Sequence, residues 1–260
     1  MIRYSWPLLP NLISWWLINE VNRFIILFKL GADYNGVFAL AIRFPSIIIM
    51  VNTVFMLAWQ DQVITTNDEP GKQAFDRKVF SLFMNLQLSL VAVLISVSPF
   101  IIKYFVGPAF SACWKYMPPL YLGVAFSAFA GFLGTYYLGA KQTKAIFTTT
   151  IIGSIVNIII CISLIKNTGL YAPAFGTCIG YMVMYFARVQ NSTAILHDRA
   201  LQIKLFLLLL YVTAVTTVVY VENDIMNGMV VLASVGLFMY INRAVLQFVY
   251  TNITKKISIA

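Results

Sequence analysis

Two opposite charges lie three residues apart inside the first apolar stretch of the chain. Glu20 and Arg23 are i, i+3 neighbours on a helix and can form an ion pair. A charge near a bilayer centre costs roughly 2.5–3.5 kcal/mol on insertion scales, so such residues usually face a bundle interior. Asn19 and Asn22 are expected to share this polar face. The four residues predict one polar wall of a hydrated cavity; the alternative is a self-neutralising pair that only fixes helix packing.

A second cation, Arg43, follows in the next apolar stretch, two residues before Pro45. The planar guanidinium can bind two oxygens of a phosphate, and the proline is expected to kink the helix. We interpret Arg43 as a cavity cation that, with Arg23, favours an anionic ligand. The alternative is an arginine that snorkels to the outer headgroups. Asn52 adds an amide to the same stretch, as a cavity residue or as an interhelical hydrogen-bonding group.

The composition places these charges in a membrane protein. The chain is 60% hydrophobic and 10% charged, with a mean hydropathy of +0.83. Soluble domains average about 45–50% apolar and about 25% charged residues. Backbone groups in lipid must be satisfied internally, and barrel-type alternation is absent from the sequence, so an all-α polytopic membrane protein is predicted. The net charge of +9 is attributed to cytoplasmic loops rather than to nucleic-acid binding.

Eight transmembrane spans are predicted from apolar stretches of about 20 residues. Their limits are 9–29, 36–59, 79–105, 118–138, 145–165, 169–189, 203–221 and 226–248. The first six are assigned to a helix bundle over residues 1–190, and residues 191–260 form a terminal pair of helices with a cytoplasmic tail. The connection at about 60–78 is predicted to be a solvated linker. Gly153, in the fifth span, is expected to permit close helix contact.

Lysine and arginine in the connections predict the orientation. With the N-terminus inside, twelve of the 18 basic residues fall in cytoplasmic segments, four fall outside, and Arg23 and Arg43 lie within spans. Positive charge gathers in cytoplasmic loops, so both termini are predicted to be cytoplasmic.

The motifs of soluble enzymes are absent from the sequence. We find no phosphate-binding glycine loop, zinc-ligand spacing, nucleophile elbow or dinucleotide fingerprint. An enzyme is therefore not predicted. No cofactor or metal is expected, and coupling to a proton or sodium gradient is left open.

Several short segments between about residues 4 and 190 resemble, in the same order, segments of one known protein family. They include Tyr4-Ser5-Trp6-Pro7, Asn22-Arg23-Phe24, Asn35-Gly36-Val37, Arg43-Phe44-Pro45-Ser46 and Met117-Pro118-Pro119. Together they resemble the C-terminal half of an O-antigen-type oligosaccharide-unit flippase, in the multidrug/oligosaccharidyl-lipid/polysaccharide export superfamily. The chain departs from that pattern at Asn22, where the family commonly has aspartate, and at Arg43, where it often has lysine.

The resemblance implies a function in O-antigen or capsular polysaccharide biosynthesis. It implies transfer of an undecaprenyl-pyrophosphate-linked oligosaccharide across the bacterial inner membrane, from the cytoplasmic to the outer leaflet. Arg23 and Arg43 would bind the pyrophosphate, and the other cavity residues would be Glu20, Asn19, Asn22 and Asn52.

Such flippases have two pseudo-symmetric lobes, so eight spans imply a truncated or split form. The implied partners are membrane lipids, a missing N-terminal lobe, a second copy of the chain or a polysaccharide polymerase. The alternatives are a multidrug or lipid exporter of the same superfamily and a membrane-embedded polysaccharide polymerase or acyltransferase.

Overall fold

The computed structural model describes residues 20–65, 71–191, 198–221 and 223–247, and within these ranges the chain is helical and contains no strand. The elements are α1 (20–29), α2 (Ala32–Thr65), α3 (Lys72–Phe105), a 3₁₀ helix (Pro108–Tyr116), α4 (Met117–Gly139), α5 (Thr143–Thr168), α6 (Tyr171–Asn191), α7 (Arg199–Tyr220) and α8 (Asp224–Ile241). Six helical segments are long and apolar enough to cross a membrane, the 3₁₀ helix and α4 counting as one. The predicted all-α polytopic membrane fold is confirmed.

One predicted span, 169–189, forms a helix but is less apolar than the others. It corresponds to α6, which is not among the six apolar segments. Neighbouring helices α4 and α5 cover most of its surface. A helix enclosed by protein needs less apolar surface than one that faces lipid, because its polar groups find partners inside the bundle.

The predicted linker at 60–78 is mostly helical. Helix α2 continues to Thr65 and α3 begins at Lys72, so only a short connection remains. Asp76, expected in solvent, is 2% exposed. The prediction of a long solvated linker was wrong because an apolar stretch marks only the part of a helix that lies in lipid, and polar residues extend the helix beyond it.

The predicted first and last spans reach beyond the described residues. Of span 9–29, residues 20–29 are described and are helical. Helix α8 ends at Ile241, and after a turn at Asn242 residues 243–247 are helical again, up to the last described residue before the predicted limit of 248. Asn242 interrupts it, since its amide donates to the Phe238 carbonyl at 2.9 Å and to Ser89 Oγ at 2.8 Å. This side chain therefore ends one helix while it fastens that helix to α3.

The connection between α1 and α2 is a tight turn at Gly31. Its φ of 100° lies in the left-handed region, which glycine adopts without steric cost. The Gly31 amide donates to the Ile26 carbonyl at 3.2 Å and so closes the end of α1. The turn therefore keeps Arg23 and Arg43 on consecutive helices that meet at one end.

Aromatic side chains fill the centre of the bundle. Phe80 and Phe83 of α3 meet Phe129 and Phe132 of α4 with ring centroids 5.0–6.1 Å apart. Trp59 of α2 stacks on Phe132 at 4.3 Å. Buried aromatic pairs contribute about 0.5–1.5 kcal/mol beyond the area they bury, so this cluster fixes how α2, α3 and α4 pack.

The last two helices, α7 and α8, pack mainly on α3. Lys204 of α7 donates to Ser81 Oγ at 2.7 Å, and Lys103 of α3 pairs with Asp224 of α8 at 2.8 Å. The opposite faces of α7 and α8 expose large apolar side chains such as those of Phe206 and Leu232. These faces suit contact with lipid.

Candidate functional site

The predicted ion pair on α1 is present. Arg23 Nη1 lies 3.6 Å from Glu20 Oε2, and the two side chains are 44% and 38% exposed. Both charges therefore lie on the outer face of this bundle and neutralise each other only in part. Asn19, which was predicted to extend the same face, lies outside the described residues.

Asn22 does not share that face. Its side chain is 1% exposed and turns into the bundle, where Nδ2 donates to Thr177 Oγ1 of α6 at 2.8 Å. Within the described part of the chain, the Asn22 Oδ1 atom is buried without a hydrogen-bond partner. The prediction of one polar wall was wrong here, because successive residues of a helix differ by about 100° in direction. Asn22 and Arg23 consequently face different surroundings.

Asn22 is among the residues that line a small cavity between α1, α2, α4 and α6. The cavity has a volume of about 50 Å³, and its polar lining includes Asn22, Ser127, Thr177 and Tyr181. That volume exceeds the minimum of roughly 10–15 Å³ that a water needs. The cavity is therefore large enough for a single water.

A second cavity continues from the first along α2 and α4. It has a volume of about 270 Å³, includes Asn52, Thr53 and Gln60, and shares Ile49, Val124 and Ser127 with the first cavity. The two cavities therefore form one cleft, bordered by α2, that runs from Asn22 toward Gln60. We call it the α2–α4 cleft.

Arg43 is exposed beside this cleft. Its neighbours Ile42 and Pro45 line the small cavity, and Arg43 lies little more than one turn, roughly 7 Å, from the midpoint of the apolar helix Ala32–Val63. No carboxylate among the described residues forms an ion pair with its guanidinium. Neither Arg43 nor Arg23 is among the residues that line the two cavities of the cleft. Each arginine is open to a ligand from outside the bundle.

Asn52 forms a pair of hydrogen bonds with Gln87 of α3. Gln87 Nε2 donates to Asn52 Oδ1, and Asn52 Nδ2 lies 3.5 Å from Gln87 Oε1. Both side chains are buried. Of the two expectations for this residue, the geometry favours the interhelical hydrogen bond, although Asn52 also borders the α2–α4 cleft.

Asn52→Leu is expected to destabilise the protein by about 1 kcal/mol, because the buried Gln87 amide loses its partner. The free energy of unfolding of the purified protein in detergent measures this. Asn52→Leu combined with Gln87→Leu should recover part of the loss, since neither amide is then left unpaired. If the double variant lost more free energy of unfolding than the two single variants lose together, this assignment would be contradicted.

Arg188 is a buried cation, although it is one of the twelve basic residues predicted above to lie in cytoplasmic connections. It lies within α6, is 1% exposed, and donates from Nε to Thr149 Oγ1 at 3.1 Å and from Nη2 to Thr150 Oγ1 at 3.0 Å. Its Nη1 donates to the Ala130 carbonyl of α4. No acidic partner for it is found in the described ranges. Arg188 therefore joins α4, α5 and α6, and no sequence motif marked it.

The site offers cations and amides but no metal-binding cluster in the portion that the structure describes. No group of three or more histidine, cysteine, aspartate or glutamate side chains is placed there to hold a metal ion. Its cations are Arg23 and Arg43, both on exposed faces, whereas the amide of Asn22 is buried inside the bundle. No protein-family model, no curated protein and no solved structure matches this chain.

Proposed function

We propose that this chain is one lobe of a transporter that flips an undecaprenyl-pyrophosphate-linked oligosaccharide across the bacterial inner membrane. The observation that carries the proposal is Arg43, exposed near the midpoint of a membrane-spanning helix, with no acidic partner among the described residues. An unpaired cation at that depth is costly unless water or an anionic ligand solvates it. The resemblance of the segments around Asn22 and Arg43 to O-antigen-type flippases supports the same ligand class.

The pyrophosphate suits the two arginines. Each guanidinium presents a planar fork of donors that fits two oxygens of a phosphate, and charge-assisted bonds of this kind are roughly twice as strong as neutral ones. Glu20 offsets part of the charge of Arg23, so Arg43 is the stronger anchor.

A second lobe would complete the pathway. Beyond Arg43, the same helix exposes the large apolar side chains of Met50, Val54 and Leu57. A face that combines a cation with apolar residues suits a partner lobe more than lipid alone. We propose that another chain or a second copy supplies this lobe and that rocking of the two gives alternating access. Both termini lie in the cytoplasm in this proposal, as the distribution of basic residues predicts.

The direct test is binding of undecaprenyl pyrophosphate to the purified chain in detergent. Arg43→Gln is expected to weaken binding on the order of tenfold, because a charge-assisted bidentate contact is lost. Arg43→Lys should retain part of the affinity, since it keeps the charge without the fork. Lys166→Gln, an exposed cation at the end of α5, serves as the matched control and should leave binding unchanged.

Three results would count against the proposal. Equal binding by the wild type and Arg43→Gln would support an arginine that only snorkels to headgroups. Equal binding of undecaprenol and its pyrophosphate would remove the role of the anion. Preferential binding of lipophilic cations would favour a multidrug exporter instead.

A further inference from the structure

An apolar groove lies between α3, α6 and α7, apart from the α2–α4 cleft. It has a volume of about 380 Å³, and its lining is almost entirely apolar. Helices α6 and α7 make almost no direct contact, so the groove separates them. Phe186 of α6 and Phe206 of α7 line it and are exposed, so the groove opens sideways toward the lipid. Its volume falls within the range of roughly 300–1,000 Å³ typical of ligand pockets.

Two arginines continue the lining of this groove by one helical turn. On α3, Arg77 precedes the lining residues Phe80 and Met84 at i, i+3 and i, i+7. On α7, Arg199 precedes Gln202 and Phe206 with the same spacing. Residues at these intervals share one face of a helix. Both cations therefore lie at the same end of the groove.

At that end of the groove, positive charge and hydrogen-bond donors are available for an anion. Arg77 Nη1 lies 3.7 Å from the Asp198 carboxylate, which is a long contact, and Arg77 Nε is buried without a hydrogen-bond partner among the described residues. Arg199 is exposed and forms no ion pair within the same ranges. Asp198 neutralises one charge and caps α7 by accepting from the Ala200 amide at 2.9 Å. The partial positive charge of the α7 N-terminus also lies here.

We propose that the groove binds an anionic phospholipid of the surrounding leaflet. One acyl chain occupies the apolar groove between α6 and α7, and the phosphate contacts Arg77 and Arg199. Basic pockets between transmembrane helices bind anionic headgroups in this way. The lipid fills the space that separates α7 from α6 and so completes the packing of α7 against the bundle. This site is separate from Arg23 and Arg43 and does not depend on the proposed transport function.

The test is native mass spectrometry of the full chain with phosphatidylglycerol and phosphatidylcholine that carry identical acyl chains. The wild type is expected to retain phosphatidylglycerol preferentially. Arg77→Gln with Arg199→Gln should lower its affinity on the order of tenfold. Leu205→Trp, which fills the groove and leaves the charges in place, should also reduce binding. Lys144→Gln, an exposed cation near the start of α5, is the matched control and should have no effect.

If the double variant Arg77→Gln with Arg199→Gln fails to fold, Leu205→Trp still tests the proposal, and the reverse also holds. Equal retention of the two phospholipids by the wild type would overturn it. An equal loss of binding in Lys144→Gln would show that the attraction is general to the basic surface. Displacement of phosphatidylglycerol by equimolar undecaprenyl phosphate would assign the groove to the lipid carrier and would also overturn the proposal.

Discussion

Gly180→Val is expected to separate α5 from α6 and to lower the free energy of unfolding by about 3 kcal/mol. A Cβ atom at Gly180 would lie 2.7 Å from the Gly153 carbonyl oxygen and 3.1 Å from the Asn157 Cβ atom. The first of these atoms belongs to the backbone of α5, which cannot move aside as a flexible side chain can. Small residues let membrane helices approach this closely, and van der Waals packing then holds them together.

Gly236→Val in α8 is the matched control for this substitution. No atom lies within 4 Å of the Cβ position there, and the site is also in the interior of an apolar helix. Its free energy of unfolding in detergent should change by less than about 0.5 kcal/mol. If Gly180→Val melted at the wild-type temperature, the close contact between α5 and α6 would be wrong. If both variants were equally destabilised, the cause would be a general effect of valine in these helices and not the contact.

Arg188→Ala is expected to destabilise the protein by about 3 kcal/mol, mainly through the space that it leaves. The long side chain fills the junction of α4, α5 and α6, where Gly134 makes room for it: a Cβ at Gly134 would lie 2.8 Å from Arg188 Nη1. The substitution also removes hydrogen bonds to Thr149 and Thr150. Unfolding of the purified protein by denaturant measures the loss.

Arg188→Met separates packing from charge at this position. Methionine restores most of the volume but donates no hydrogen bond, and it removes a buried charge whose desolvation is costly. We expect it to cost less than half as much as Arg188→Ala. If both variants lost the same stability, the hydrogen bonds would be the main contribution. If neither lost any, the buried position of Arg188 would be contradicted.

Local patterns were predictable from the sequence. The ion pair of Glu20 with Arg23 follows from their spacing on one helix, and it is present. The apolar stretches predicted the spanning helices because a membrane requires about 20 apolar residues in a row. Gly153, expected to allow close helix contact, does lie against another helix.

Contacts between residues distant in the chain were not predictable. Asn22 meets Thr177, 155 residues later, because of how α1 is rotated against α6. Arg188 was assigned to a connection because it lies at the end of an apolar stretch, and only the fold shows that two threonine hydroxyls and a carbonyl solvate it. Asp76 was misassigned for the related reason that helix ends extend beyond the lipid.

The attachment of α7 and α8 to α3 has a hydrodynamic consequence. These two helices contact the rest of the bundle mainly through α3. At one end, Tyr220 of α7 also contacts Trp114 of the 3₁₀ helix. Any tilt of α3 would therefore sweep two further helices sideways through the bilayer. The rate of such a movement would be set by the viscous drag of the lipid on those helices and would fall as the membrane becomes more ordered.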